Sequence, residues 1–261
     1  MTLLHLQSVS KTYRLPRTEL LSPGAEIAAV RDVTLEVGTG EAVGIVGASG
    51  SGKTTVARLV MGFERPDAGR VIFEGTDIAR LPRREMRAVR PRLQIVFQDP
   101  MSALDPRKPV GWSVAEPLLG AGRPRAEREA GAARALAAVG LAPGDGARYP
   151  HEFSGGQRQR IAIARAIVTE PRLIVADEAV SALDVSVGAQ ILNLFLEIQG
   201  RTGAALLFIS HDLAVISRLC ARVVVMQGGR IVEEGDAAEV LAHPREPYTR
   251  TLTEAAWKAR A

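Results

Sequence analysis

Eight residues constrain this chain more than any others: Gly47-Ala48-Ser49-Gly50-Ser51-Gly52-Lys53-Thr54. They match the phosphate-binding pattern G-x-x-x-x-G-K-[ST] at every fixed position. Just before them, Ala42-Val43-Gly44-Ile45-Val46 is a short apolar run that reads as a buried strand. After them, Thr54 to Met61 has helical spacing, and Gly62 can stop it. Strand, glycine loop and helix are the context such a loop needs. Glycines let the backbone curl until successive N–H groups point at phosphate oxygens, and the following helix adds its positive end. Lys53 supplies a point charge to the β- and γ-phosphates, and Thr54 a hydroxyl for Mg²⁺. A second segment, Phe153-Ser154-Gly155-Gly156-Gln157, opens a helical stretch from Arg158 to Ile167. A serine hydroxyl, bare glycine amides and a helix start make another phosphate cradle. One chain has one nucleotide to hold, and Lys53 already holds it. The second cradle makes sense if it closes on the nucleotide of a partner subunit, so the two segments together point to an ATP-driven dimeric motor.

The chain has 261 residues, 46% of them hydrophobic, which suits one large α/β domain, alone or with a smaller insert. No run of eighteen apolar residues occurs, so no transmembrane helix is expected. Met1-Thr2-Leu3-Leu4-His5 lacks the basic region and apolar core of a secretory signal. The single cysteine, Cys220, excludes an internal disulfide and any cysteine cluster. It is expected as a small buried apolar residue on a helix, in a reducing, cytoplasmic setting. The net charge is +4, and the densest basic patch is Arg80, Arg83, Arg84, Arg87, Arg90 and Arg92. Pro82 and Pro91 interrupt it and no aromatics interleave, so a solvated face is expected, with anionic membrane lipid nearby as the alternative, and no nucleic-acid partner.

Residues 3–9 and 29–37 alternate apolar and polar side chains, as antiparallel strands do, with a long turn from Pro16 to Gly24 between them. The stretch of about 100–165 is richer in Ala, Arg and Glu. Ala126 to Val139 reads as a helix, and Pro143, Gly144 and Gly146 break the pattern. Strand runs return at Leu173 to Ala176 and Leu206 to Ile209, and Val223 to Val232 reads as a hairpin around Gly228-Gly229. The fold class expected is α/β: a mainly parallel core sheet with helices on both faces, an N-terminal antiparallel β subdomain and an inserted α-helical subdomain.

Several polar residues stand where apolar runs end. Asp177-Glu178 follows 173–176, at the strand end where ligands bind in open α/β sheets. Asp177 can hold Mg²⁺ through water, and Glu178 can polarise an attacking water. An acidic residue there also fits a helix N-cap, and the phosphate loop favours the functional role. Gln98 follows Leu93 to Phe97, and its amide can reach both Mg²⁺ and the water. His211 follows Phe208-Ile209-Ser210 and can stabilise a γ-phosphate, while Asp212 can cap a helix starting near Leu213. Tyr13, in Lys11-Thr12-Tyr13-Arg14, can stack on an adenine ring or pack in the core.

These residues, in this order, resemble the ATP-binding subunit of an ATP-binding-cassette (ABC) transporter, over nearly the whole chain. Tyr13 matches the adenine-stacking aromatic and 47–54 the Walker A loop, whose ATP contacts the resemblance assigns to Gly47, Ser49, Gly50, Gly52, Lys53, Thr54 and Thr55. Gln98 matches the Q-loop glutamine. Residues 153–157 match the family signature, with Phe153 where Leu is more usual. Leu173 to Asp177 matches Walker B, Glu178 the catalytic glutamate, and His211 the switch histidine. Ser181-Ala182-Leu183-Asp184 matches the D-loop, which puts Asp184 against a partner subunit. Ala179 departs from the usual Pro, so a looser loop is expected after Glu178, with no reacting group lost. Phe97 to Pro100, Leu104 to Arg107, Glu116-Pro117-Leu118, Arg148 to Phe153 and His243 to Arg250 are similar to the peptide/nickel importer branch (dipeptide, oligopeptide, nickel, glutathione), in its F-type member. The cysteine cluster that many of those relatives carry in the tail is missing, so no iron–sulfur centre is expected.

The resemblance implies an ATPase head over residues 1–240, with the helical insert at about 100–165, and a short tail over 241–261. It implies ATP and Mg²⁺ as ligands, with Thr54, Gln98 and Asp177 on the metal. Ser154, Gly155, Gly156 and Gln157 would meet the nucleotide of a second ATPase chain, a paralogue or a second copy. It further implies membrane permease subunits, an extracytoplasmic binding protein acting indirectly, and a peripheral place on the cytoplasmic face of the inner membrane. A non-transport ATPase of the same superfamily is the alternative. DNA-repair and chromosome-organising relatives need long coiled-coil arms or zinc modules, translation factors carry two heads, and P-loop kinases lack the 153–157 segment.

Overall fold

The structure, a computed structural model, describes residues 1–14 and 26–258, so the turn expected from Pro16 to Gly24 lies outside the described residues. In chain order the elements are β1 (Thr2–Arg14), β2 (Glu26–Gly38), β3 (Ala42–Val46), α1 (Lys53–Val60), β4 (Ala68–Phe73), β5 (Thr76–Asp77) and α2 (Arg83–Val89). Then come β6 (Leu93–Val96), α3 (Val110–Gly120), α4 (Arg125–Ala138), α5 (Gly155–Ile167), β7 (Leu173–Asp177) and α6 (Val185–Thr202). The chain finishes with β8 (Ala205–Ile209), α7 (Leu213–Leu219), β9 (Arg222–Gln227), β10 (Arg230–Asp236), α8 (Ala237–Ala242) and α9 (Pro247–Lys258). These elements form two compact units. The first comprises Met1–Gly38, Ala42–Leu81 and Ile209–Ala261, the second Thr39–Glu41 and Pro82–Phe208.

In the first unit, β2, β1, β4 and β5 form an antiparallel sheet in that order. Alternation puts Leu4, Leu6, Val9, Val33, Leu35, Val37, Val71 and Phe73 inside, all buried. Both long strands outrun the periodic segments 3–9 and 29–37 that announce them. The pairing slips between Leu6 and Val9, and Ser8 (φ 47°) and Asp32 (φ 53°) absorb the irregularity. Side chains satisfy the displaced amides: Ser8 N–H donates to Thr34 Oγ1 at 3.1 Å and Asp32 N–H to Ser10 Oγ at 2.9 Å. The same unit holds β3, which runs parallel to β9, and the antiparallel β9–β10 hairpin turning at Gly228-Gly229. The helix α7 lies close on β3. A Cβ on Gly44 would come 2.5 Å from Ile216 Cγ2 and 3.3 Å from Cys220 Sγ. Cys220 is buried, as its type suggests, but it follows α7 in extended conformation (φ −111°) rather than sitting on the helix, because the chain turns there into β9.

In the second unit, β6 pairs parallel with β7, and β8 lies on the other side of β7. Every residue of β6 is buried, and β7 is buried up to its last residue, Asp177. That explains continuous apolar runs rather than alternation. Phe195 of α6 meets Phe208 of β8 edge to face, ring centroids 5.4 Å apart. The helices α3, α4 and the start of α5 fill the stretch where helical composition rises, and the Pro143 region folds as a 3₁₀ turn rather than a helix. The basic patch is solvated: in α2 only Met86 is buried, and all six arginines are exposed. Among the described residues no helix is long and apolar enough to cross a membrane.

Burial pushes the Cys220 thiol up to about 12. Cys220 should therefore resist iodoacetamide at pH 8 in the folded chain and react fully in guanidinium. Fast labelling of the native chain, read by mass spectrometry, would contradict its placement.

Candidate functional site

In the first unit the chain leaves β3 at Val46 and wraps around one ammonium. Lys53 is only 6% exposed. Its Nζ donates to the carbonyls of Gly47 (2.7 Å) and Ala48 (2.9 Å), with Ser51 Oγ at 3.5 Å. A buried ammonium requires such acceptors, and the loop supplies them by closing on itself. Two glycines permit the closure. A Cβ on Gly47 would lie 2.2 Å from the Met226 carbonyl oxygen, and one on Gly52 (φ 105°) 2.3 Å from that of Ala29. The hairpin turn holds the loop from outside: Gly229 N–H donates to the Ser51 carbonyl at 3.0 Å, and Arg31 N–H to the Gly229 carbonyl at 2.7 Å. Gly52 caps α1 with no side-chain hydrogen bond. A helix start capped without a side chain is a place where an anion can be received. Ser49, Gly50 and Thr54 are exposed on the open side.

Tyr13 stands against the same helix. Its hydroxyl donates to Glu64 Oε2 at 2.5 Å, and Arg58 Nη1 lies 3.5 Å from Glu64 Oε1. Burial, joined by the Glu64 carboxylate, pushes the Tyr13 hydroxyl above its ordinary range, while Thr55 and Arg58 pull the other way. Beyond β8, Ser210 N–H donates to the Ile45 carbonyl of β3 at 3.1 Å, which fixes the backbone just ahead of the exposed His211. Asp212 caps α7 as its position suggests, accepting from Ala214 N–H at 2.8 Å.

In the second unit, β7 ends on the half-buried Asp177 and the chain turns at Glu178, whose φ of 52° lies in the left-handed region. Such a conformation costs a non-glycine residue about 1 kcal/mol or more. It is held by Ser181, whose N–H (3.1 Å) and Oγ (2.9 Å) both donate to the Glu178 carbonyl. Ala179, where a proline is usual in the family resembled, is buried in this turn at 1% exposure. Gln98 is exposed after β6, and the preceding Phe97 carbonyl accepts from Gln159 Nε2 of α5 at 3.3 Å.

Ser154 opens α5 with a capping box. Ser154 Oγ accepts from Gln157 N–H (3.4 Å), and Gln157 Oε1 accepts from Ser154 N–H (3.0 Å). Phe153 is buried with the Arg148 guanidinium 4.3 Å over its ring, so the larger side chain is accommodated. Asp184 caps α6, accepting from Val187 N–H at 2.9 Å and Ser186 Oγ at 2.8 Å. The Val187 amide first, then the Ser186 hydroxyl, holds its carboxyl below the usual carboxylate range. The two capped helix starts abut. A Cβ on Gly156 would lie 2.4 Å from Val187 Cγ1, and one on Gly155 3.9 Å from Leu183 Cδ2.

The first unit thus brings together Tyr13, Thr55 and the loop 47–54, and the second unites 153–157 with 181–184. Sequence reasoning missed four contributors to the loop: Ser51, which bonds the hairpin turn; the Ala29 and Met226 carbonyls; and Tyr248, whose hydroxyl accepts from Ala48 N–H at 2.8 Å. No local signal could reveal contacts of such sequence separation. Among the described residues no group of three or more His, Cys, Asp or Glu is placed to hold a metal.

A family model described as ABC transporter matches residues 30–181. A peptide ABC transporter ATP-binding protein of Sinorhizobium fredii is 49% identical over 97% of this chain and 72% of its own length. A peptide import ATP-binding protein of Brucella ovis is 47% identical over 97% of the chain and 78% of its own. Among solved structures, a dimeric ATP-binding cassette in a post-hydrolysis state with ADP and Pi has a TM-score of 0.79 at 28% identity, covering 90% of this chain and 98% of that one. A component of an ABC transporter complex from Clostridium perfringens has the same score at 27% identity, covering 97% and 99%.

Replacing Gly52 with Ala should force the loop off the Ala29 carbonyl and destabilise the chain by about 2 kcal/mol. Ser154→Ala should remove a helix cap for about 1 kcal/mol. Denaturant unfolding checks both, and a Gly52→Ala chain as stable as wild type would contradict the loop geometry.

Proposed function

The chain belongs to the ABC transporter ATP-binding family, and from that premise we propose that it is the ATPase subunit that drives peptide import through a separate membrane permease. The observation that carries the proposal is the loop at 47–54, closed around a buried lysine at the start of α1, with Gly52 as its cap. Peptide as cargo is supported by the names of the relatives from Sinorhizobium fredii and Brucella ovis.

In this proposal the phosphates of ATP lie on the amides of the loop, with Gly47, Ser49, Gly50, Gly52, Thr54 and Thr55 around them, and Tyr13 stacks on adenine. Lys53 stays anchored on the loop carbonyls and adds the β- and γ-phosphate oxygens to its acceptors. A water oxygen attacks the γ-phosphorus as the bond to ADP breaks. Glu178 polarises that water and Gln98 orients it, while His211 stabilises the charge on the transferred group. Mg²⁺, when bound, neutralises phosphate oxygens. Thr54, Asp177 and Gln98 offer it oxygen donors of the hard kind it prefers, too few for a protein cage and enough to join substrate phosphates.

The segment Ser154, Gly155, Gly156 and Gln157 serves the nucleotide of a second ATPase subunit, and Asp184 lies at that contact. ATP then favours the closed dimer because it makes contacts available only there. The segment after Gln98 passes closure to the permease. Residues 1–240 form the head, with a helical insert at about 100–165, and 241–261 a tail. The subunit works peripherally at the cytoplasmic face of the inner membrane, with cargo delivered by an extracytoplasmic binding protein.

Steady-state hydrolysis of MgATP, measured against protein concentration, tests this. Glu178→Gln should bind ATP normally and hydrolyse it about a hundredfold or more slowly; near wild-type turnover would remove Glu178 from its role. Lys53→Ala should weaken MgATP binding about tenfold or more by calorimetry, and unchanged affinity would refute the loop as the phosphate site.

A further inference from the structure

The C-terminal segment reaches back to the phosphate loop within the first unit. Its path is fixed where α9 begins. The N–H groups of Arg245 and Glu246 donate to the Glu233 carboxylate of β10 at 2.8 and 3.2 Å, and the Arg245 guanidinium pairs with Glu239 of α8 at 2.8 Å. Thr249 and Thr253, at 1% and 5% exposure, mark the inward face of α9. The half-buried Tyr248 stands beside Thr249, and its hydroxyl oxygen accepts from Ala48 N–H at 2.8 Å, two hundred residues away in sequence.

That amide belongs to the peptide unit between Gly47 and Ala48. The carbonyl of the same unit, on Gly47, accepts from Lys53 Nζ at 2.7 Å. A trans peptide is planar, with its N–H and C=O directed oppositely. One rigid plane is therefore gripped from its two edges, by the tail hydroxyl on one side and the loop ammonium on the other. Rotation of that plane would take the Gly47 carbonyl away from Lys53. The neighbouring Ala48 carbonyl, also on Lys53 at 2.9 Å, would move with it.

We propose that Tyr248 is a positioning residue for nucleotide: its hydroxyl fixes the 47–48 peptide plane and so holds the loop, with Lys53 inside it, in the shape that receives phosphate. The proposal rests on the assignment of 47–54 as the phosphate site. Without the hydroxyl the loop populates other orientations, and apparent affinity falls by the fraction of chains that keep the competent one.

Calorimetric titration of the full chain with MgATP tests this, using wild type, Tyr248→Phe and Lys53→Ala, together with melting temperatures in the absence of nucleotide. Tyr248→Phe keeps the ring and removes only the oxygen. Its Kd should rise about two- to tenfold, the scale of one neutral hydrogen bond, with the melting temperature held within about 5 °C. An unchanged Kd would overturn the proposal, leaving Tyr248 as a cap on a surface amide. A larger fall in melting temperature accompanying the lost affinity would overturn it too, as undocking of the tail. Lys53→Ala separates the premise from the inference. Normal binding by that variant refutes the phosphate site itself, whereas weakened binding beside a wild-type Tyr248→Phe refutes only the role of the tail.

Discussion

The ammonium of Lys53 is buried, and most of the first unit is arranged by that fact. A charge withdrawn from water has to be ringed by oxygen. Here the Gly47 and Ala48 carbonyls and the Ser51 hydroxyl form the ring. A loop tight enough to do this brings its own backbone against its neighbours. Met226 of β9 and Ala29 of β2 stand where side chains on Gly47 and Gly52 would otherwise be. The hairpin turn at Gly228-Gly229 then bonds to Ser51 on one side and Arg31 on the other. The glycines of the loop, with β2 and β9 close outside them, thus accommodate one buried charge.

The second unit solves a different problem with a repeated device. Two helix starts, α5 and α6, have to meet while their first amides are satisfied. Each carries its own cap, Ser154 for α5 and Asp184 for α6. Gly156 removes the side chain that would collide with Val187. Nearby, Glu178 is held in a strained backbone conformation by the doubly bonded carbonyl it shares with Ser181. The turn is closed although Ala179 replaces the proline usual in the family.

The tail ties a third region to the loop. It is anchored by Glu233, which accepts from the Arg245 and Glu246 amides where α9 begins, and by the Arg245–Glu239 pair. Fixing the first turn of a helix fixes the direction of every side chain on it. Tyr248 thereby arrives at Ala48 without any element of its own at the loop.

Much of this was determined by the sequence alone, wherever a structure is set by bonds between near neighbours. The loop 47–54 around Lys53, the capping of α7 by Asp212 and the hairpin at Gly228-Gly229 rest on such bonds, and the apolar runs of β3, β6, β7 and β8 show their burial by composition although their ladders join distant segments. The short α2 escaped notice because only Met86 on it is buried, which leaves no apolar period to read. The true lengths of β1 and β2 were hidden by the irregular pairing at Ser8 and Asp32, where alternation slips. Tertiary structure alone decided that Ala29 and Met226 would press on the loop, that Gly156 would meet Val187, and that Tyr248 would reach Ala48. The reason is physical: those contacts join segments 23 to 200 residues apart, and no local propensity encodes a distance that only the packed strands and helices bring down to a hydrogen bond.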